Sequence, residues 1–98
     1  MAAVVINHLQ LDVPVDELAD VVDQKFPDVF RQQPGFQAFY FVKTGDREAT
    51  VVIVWASEAE AQAGAAVIGP TLFNTYITPH LAAPQERRAG KVVAEASI

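Results

Sequence analysis

Thr50-Val51-Val52-Ile53-Val54-Trp55-Ala56 is the stretch that decides the fold. Successive side chains of a strand point to opposite faces of its sheet, and this run is apolar at both parities. Val51, Ile53 and Trp55 would share one face, with Val52, Val54 and Ala56 on the other. Parallel sheets sandwiched between two layers of helices tolerate such strands. A chain of 98 residues leaves room for only about two helical regions beside its strands. The second face therefore needs cover from outside the chain, and a partner subunit is the simplest source.

On the N-terminal side, the loop Thr44 to Glu48 contains Gly45-Asp46 and links the run to an aromatic stretch, Phe36 to Lys43. So short a connection between two apolar runs predicts an antiparallel hairpin. Pro34-Gly35 marks the turn before it. Further upstream, Val15, Leu18, Ala19, Val22, Phe26, Val29 and Phe30 recur at helical spacing after Val13-Pro14, with Asp16 and Glu17 suited to the positive end of the helix dipole. Pro27 lies inside that stripe and predicts a kink or a restart. Val4 to Leu11 reads as the first strand, with polar Asn7 and His8 at its middle.

On the C-terminal side, Ser57 can cap a helix from Glu58, with Glu60 placed to complete a capping box. This helix is rich in small residues (Ala59, Ala61, Ala63, Gly64, Ala65, Ala66), which permit close approach to a sheet. Gly69-Pro70 predicts a break, after which a further turn carries Leu72, Phe73, Tyr76 and Ile77 until Pro79. Lys91 to Ala96 reads as the last strand, preceded by the polar segment Gln85 to Gly90.

The predicted order is β-α-β-β-α-β over a single domain, residues 1–98. That is the split βαβ pattern of ferredoxin-like α+β folds, with a four-stranded antiparallel sheet. Right-handed crossovers put both helices on one side of it. The bare side would face a second copy about a two-fold axis, giving a homodimer joined through its sheet faces. Which face of the third strand carries Trp55 is left open by a run apolar at both parities.

Composition narrows the function classes. The net charge is -5, and half of the twelve acids lie between Asp12 and Asp28. Nucleic acids and anionic membranes draw affinity from cations, and the only basic cluster is Arg87, Arg88 and Lys91, so neither is expected as a partner. Gly35-Phe36-Gln37-Ala38-Phe39-Tyr40-Phe41 loosely imitates the aromatic strand of RNA-recognition motifs, but it follows the first helix, where that motif belongs on the third strand. No apolar run reaches the length of a membrane span and no leader pattern opens the chain, so a cytoplasmic protein is expected. Without cysteine there is no thiolate nucleophile or cysteine-ligated metal. No nucleophile elbow or phosphate-binding loop is present, and two histidines far apart give no metal-site spacing.

An asparagine in the first strand, Pro34-Gly35-Phe36 ahead of an aromatic strand, and Trp55-Ala56-Ser57-Glu58 closing the third strand occur together. This combination resembles the antibiotic biosynthesis monooxygenase family of dimeric α/β barrels, over nearly the whole chain. The resemblance implies Asn7 and Trp55 at recurrent pocket positions, the amide hydrogen-bonding a substrate or oxygen species and the indole forming a flat wall. It implies cofactor-independent oxidation of a small aromatic or polyketide-type substrate, with neither metal nor flavin. Haem-degrading members of that superfamily carry a histidine on the second helix, where this chain has Gly64, Ala65 and Ala66. His80 could substitute only if a break at Gly69-Pro70 folded the end of the helical region back over the pocket.

Such chemistry asks for an apolar aromatic cavity and a few polar groups. Phe39 or Phe41, Phe73 and Tyr76 are candidates to line it and bind substrate, with Asn7, Trp55 and His80 as catalytic candidates, the imidazole being suited to proton transfer. The same aromatics can equally be plain core, and Asn7 a strand residue bonded to neighbouring backbone. His8 alternates with Asn7, so only one of the two enters a given cavity. The alternative function is a non-catalytic dimeric module that binds a small hydrophobic ligand or serves in a stress response.

Overall fold

The computed structural model describes residues 2–98. Strand β1 (Ala3–Gln10) leads into helix α1 (Val15–Arg31), hairpin strands β2 (Phe36–Gly45) and β3 (Glu48–Trp55), helix α2 (Glu58–Ile68), and strand β4 (Glu86–Lys91). The sheet is antiparallel in the order β2-β3-β1-β4. This is the ferredoxin-like α+β arrangement that the sequence predicts.

Burial separates the two faces of the sheet. Ala3, Val5, Asn7 and Leu9 of β1 and Ala49, Val51, Ile53 and Trp55 of β3 are buried under the helices. The register pairs Val4 with Val54, Ile6 with Val52 and His8 with Thr50 on the opposite face. There Ile6 is 42% exposed, and Tyr40 and Val42 of β2 continue the exposed apolar surface. The double-sided hydrophobicity of Thr50 to Ala56 is thus divided between a core face and a bare face, and Trp55 lies on the core face.

Helix α1 buries Val15, Leu18, Val22, Phe26 and Phe30, the predicted stripe. The helix runs without a restart through Pro27, contrary to one sequence expectation. Phe26 and Phe30 on either side of the proline are wholly buried, and their packing outweighs the one hydrogen bond that proline forfeits.

Ser57 caps α2 as predicted, its Oγ accepting from the Glu60 N–H at 3.2 Å while the hydroxyl donates to Glu60 Oε1 at 3.0 Å. The predicted break at Gly69-Pro70 does not occur. Ile68 and Gly69 keep right-handed helical dihedrals, and a π-helical segment, Gly69–Ile77, continues from α2. A wider turn relieves the clash of the Pro70 ring with the preceding turn and dispenses with its missing N–H. Leu72, Phe73 and Ile77 anchor the segment in the core.

The last strand also differs from expectation, lying at Glu86–Lys91 and not at Lys91–Ala96. Its register pairs Lys91 with Ala3 and Glu86 with His8. A strand placed further along would run past the start of β1 and lose its hydrogen-bonding partners.

The small residues of α2 have one specific use. A Cβ on Gly64 would overlap the six-membered ring of Trp55. Trp55 is itself wedged edge-on against Phe36 (ring centroids 5.8 Å apart) and near Phe30 (6.4 Å), so it has little freedom to give way. Gly64→Ala is therefore expected to destabilise the protein by about 1–3 kcal/mol, although alanine is the better helix former by up to about 1 kcal/mol. The urea midpoint of the variant should fall, and a rise would show that the indole is free to move.

Candidate functional site

Two features place a pocket over the inner face of the sheet. The tapering, small-residue wall of α2 and its π-helical continuation leave space above β1 and β3, and the edge strand β4 leaves that space open on one side. The pocket has a volume of about 160 Å³. Its floor is Val5, Asn7, Ile53 and Trp55; its helical wall is Ala65, Ile68, Gly69 and Phe73; exposed Asn74, Gln85 and Arg87 ring the mouth. An engineered apolar cavity of about this size in another protein takes up benzene, so the space suits one aromatic ring.

Asn7 is the polar feature of the floor. It is 6% exposed, and its Oδ1 is buried without a hydrogen-bond partner among the described residues. Leaving such a group unpaired costs about 1–3 kcal/mol, so a donor supplied from the pocket is favoured there. On the other face His8 is satisfied, with its Nδ1 3.0 Å from Thr50 Oγ1.

Of the residues singled out from sequence, Asn7, Trp55 and Phe73 border this one pocket. Trp55 contributes little surface, being 1% exposed beneath Gly64. Phe39, Phe41 and Tyr76 are placed elsewhere, partly buried against the core. Phe39 stacks on Phe30 at 4.6 Å and Tyr76 lies 6.2 Å from Phe26. His80 is at the far end of β1: its carbonyl accepts from the Asp12 N–H at 2.8 Å and its Nδ1 is 3.6 Å from Asp12 Oδ1. Asp12 is five residues along the extended chain from Asn7, or roughly 17 Å. Asn74, Gln85 and Arg87 escaped the sequence reading; the register of Arg87 opposite Asn7 is the signal that finds it, and it emerges only once β4 is aligned on β1.

By sequence the chain matches no protein-family model and no curated protein. By structure it superposes on SnoaB, a cofactor-independent oxygenase from Streptomyces nogalater, with a TM-score of 0.78 over 96% of this chain and 95% of that one, at 16% identity. A monooxygenase from the gene ActVA-Orf6 of Streptomyces coelicolor, in complex with nanaomycin D, gives 0.79 over 99% and 92% of the two chains, at 17% identity. The fold is that of the antibiotic biosynthesis monooxygenases. Within this monooxygenase fold a mutant of MhuD, bound to two manganese protoporphyrin IX molecules per active site, gives 0.73 over 97% and 98% of the chains, at 18% identity.

The pocket offers haem no iron ligand from its helical wall. The helical wall offers Ala65, Ile68 and Gly69, none of which can ligate iron, and the unbroken helix keeps His80 away. Among the described residues no group of three or more His, Cys, Asp or Glu could hold a metal, and no helix is long and apolar enough to cross a membrane.

Proposed function

We propose that this protein is a cofactor-independent monooxygenase acting on a small phenol bound over Asn7 and Trp55. The observation that carries the reading is the orphaned Asn7 Oδ1, buried in the floor of an otherwise apolar pocket of one-ring size. A phenolic hydroxyl supplies the donor this oxygen lacks, while Trp55, Ile53 and Phe73 enclose the ring and exclude water.

The reaction balances with the substrate as reductant. A phenol and dioxygen give a quinone and water: one oxygen atom enters the ring, the other leaves as water, and the ring supplies the four electrons. The protein has to hold the phenol and lower the cost of its anion: Asn7 Oδ1 accepts from the hydroxyl of the neutral phenol, and the NH2 group of the same amide can donate to the oxygen once the proton has left. Arg87 is the only ionisable side chain among the lining residues, and a guanidinium cannot serve as a base at neutral pH. The phenolic proton is accordingly lost to solvent as the substrate enters, and not to a side chain of the pocket.

Three results are expected from oxygen-electrode measurements on metal-stripped protein with a monocyclic phenol. Asn7→Leu, which removes the acceptor at similar volume, should lower kcat/KM about 10- to 100-fold. In the wild type kcat/KM should rise with pH up to the ionisation of the substrate itself, and His80→Ala should stay within about twofold of wild type. A protein-derived limb lost in His80→Ala would contradict the assignment. The lack of a base in the pocket also favours a second reading, a module that binds the same ring without oxidising it; saturable binding with no oxygen uptake would select it.

The assembly proposed is a homodimer through the bare sheet face. Val4, Ile6, Val52, Val54, Tyr40 and Val42 form a contiguous apolar surface there, and a monomer rarely leaves such a surface uncovered.

A further inference from the structure

The geometry points to a substrate that carries an anionic group, namely a monocyclic phenol bearing a carboxylate, held between Asn7 and Arg87. This rests on the reading of the pocket as a phenol site and names the class of phenol. Arg87 is the direct cross-strand partner of Asn7, so both side chains project from the same face of the sheet, toward the helices. Asn7 sits in the floor, whereas Arg87, on the edge strand, is exposed and lines the mouth. A benzene ring standing between them would present its hydroxyl to the buried amide oxygen and a substituent on the far side to the guanidinium.

The charge pattern supports a ligand for Arg87. The neighbouring cation Lys91 lies 3.8 Å from Glu58, and Arg47, Lys43 and Arg31 likewise have carboxylates within 4 Å. Arg87, Lys25 and Arg88 take part in no ion pair among the described residues, although acids outnumber bases by twelve to seven in the chain, and of these three only Arg87 borders the pocket. Its fork of donors matches a carboxylate in a bidentate contact. An arginine on an edge strand also discourages sheets from joining edge to edge. That role makes no distinction between ligands, and the following experiment does.

Calorimetric titration with 4-hydroxybenzoate and with its neutral counterpart 4-hydroxybenzamide reads the contact directly. Wild-type protein is expected to bind the acid about tenfold more tightly than the amide. Arg87→Gln should erase that preference by weakening the acid and leaving the amide unmoved. Arg31→Gln, the same charge change at the distant end of α1, should preserve it. Equal affinities in the wild type, or a preference that survives Arg87→Gln, would overturn the carboxylate while leaving the phenol pocket standing. If neither compound binds, the phenol pocket falls and the carboxylate with it.

Discussion

Replacing Ile6 by aspartate is expected to convert the proposed dimer to a monomer without unfolding it. Ile6 is on the bare face of β1, flanked by Val52 of β3 and Arg88 of β4, and is 42% exposed within one subunit. The aspartate would be solvated in the monomer, so the fold and its far-UV circular dichroism should be retained. In the dimer the same carboxylate would be buried largely among apolar side chains, and pairing with its cross-strand neighbour Arg88 would not recover the full desolvation cost of several kcal/mol. Light scattering should give about twice the chain mass of 10.6 kDa for the wild type and the chain mass itself for the variant. A wild-type monomer at micromolar concentration would refute the two-sided reading of the sheet.

Trp55→Ala is expected to produce the largest loss of stability of any single substitution here. The indole is 1% exposed, lies beneath the backbone of α2 at Gly64, and meets Phe30 and Phe36. Truncating so large a buried ring costs about 3–5 kcal/mol, which in a domain of this size lowers Tm by roughly 15 °C or more. The cavity created would also join the pocket and remove one wall of the ring site. Trp55→Phe keeps an aromatic wall and should lose far less stability, so calorimetry on the pair separates the packing role from the loss of the ligand wall. A Tm for Trp55→Ala close to wild type would mean that the ring is not wedged between α2 and the sheet.

The fold was legible in the sequence wherever a hydrophobic signal had one interpretation. The stripe from Val15 to Phe30 has only one buried face, and Ser57 with Glu60 marks a helix start that the structure reproduces. Strand β3 was visible as a strand, but its orientation was not, because Val52 and Val54 are as apolar as Ile53 and Trp55. Only the register with β1 and the crossovers to the helices assign its faces. Strand β4 was misplaced because Glu86–Lys91 is exposed along its whole length and carries none of the alternation that marks a half-buried strand. Val92 and Val93 beyond it looked more like a strand, but they lie past the start of β1, where the Val92 N–H donates to the Ala2 carbonyl at 2.8 Å.

The site followed the same division. Asn7, Trp55 and Phe73 were legible as a polar strand residue and two large aromatics near helix–sheet contacts. Phe39, Phe41 and Tyr76 are the same residue types in a similar pattern, and composition alone does not tell a pocket wall from the packing around Phe26 and Phe30. Arg87 was hidden by the misplacement of β4, since its position opposite Asn7 exists only in three dimensions. Glycine and proline at positions 69 and 70 carried a strong breaking signal that buried Leu72, Phe73 and Ile77 overrode.

The central claim is that a phenol held by Asn7 reacts with dioxygen in this pocket without a metal or an added cofactor. Incubating metal-stripped protein with a monocyclic hydroxybenzoate under ¹⁸O₂, and weighing the product by mass spectrometry, tests it most directly. The account predicts a quinone carrying one labelled oxygen, at a rate that saturates with substrate and is lost in Asn7→Leu of unchanged fold. Product without label, or labelled product formed equally fast by Asn7→Leu, would contradict it.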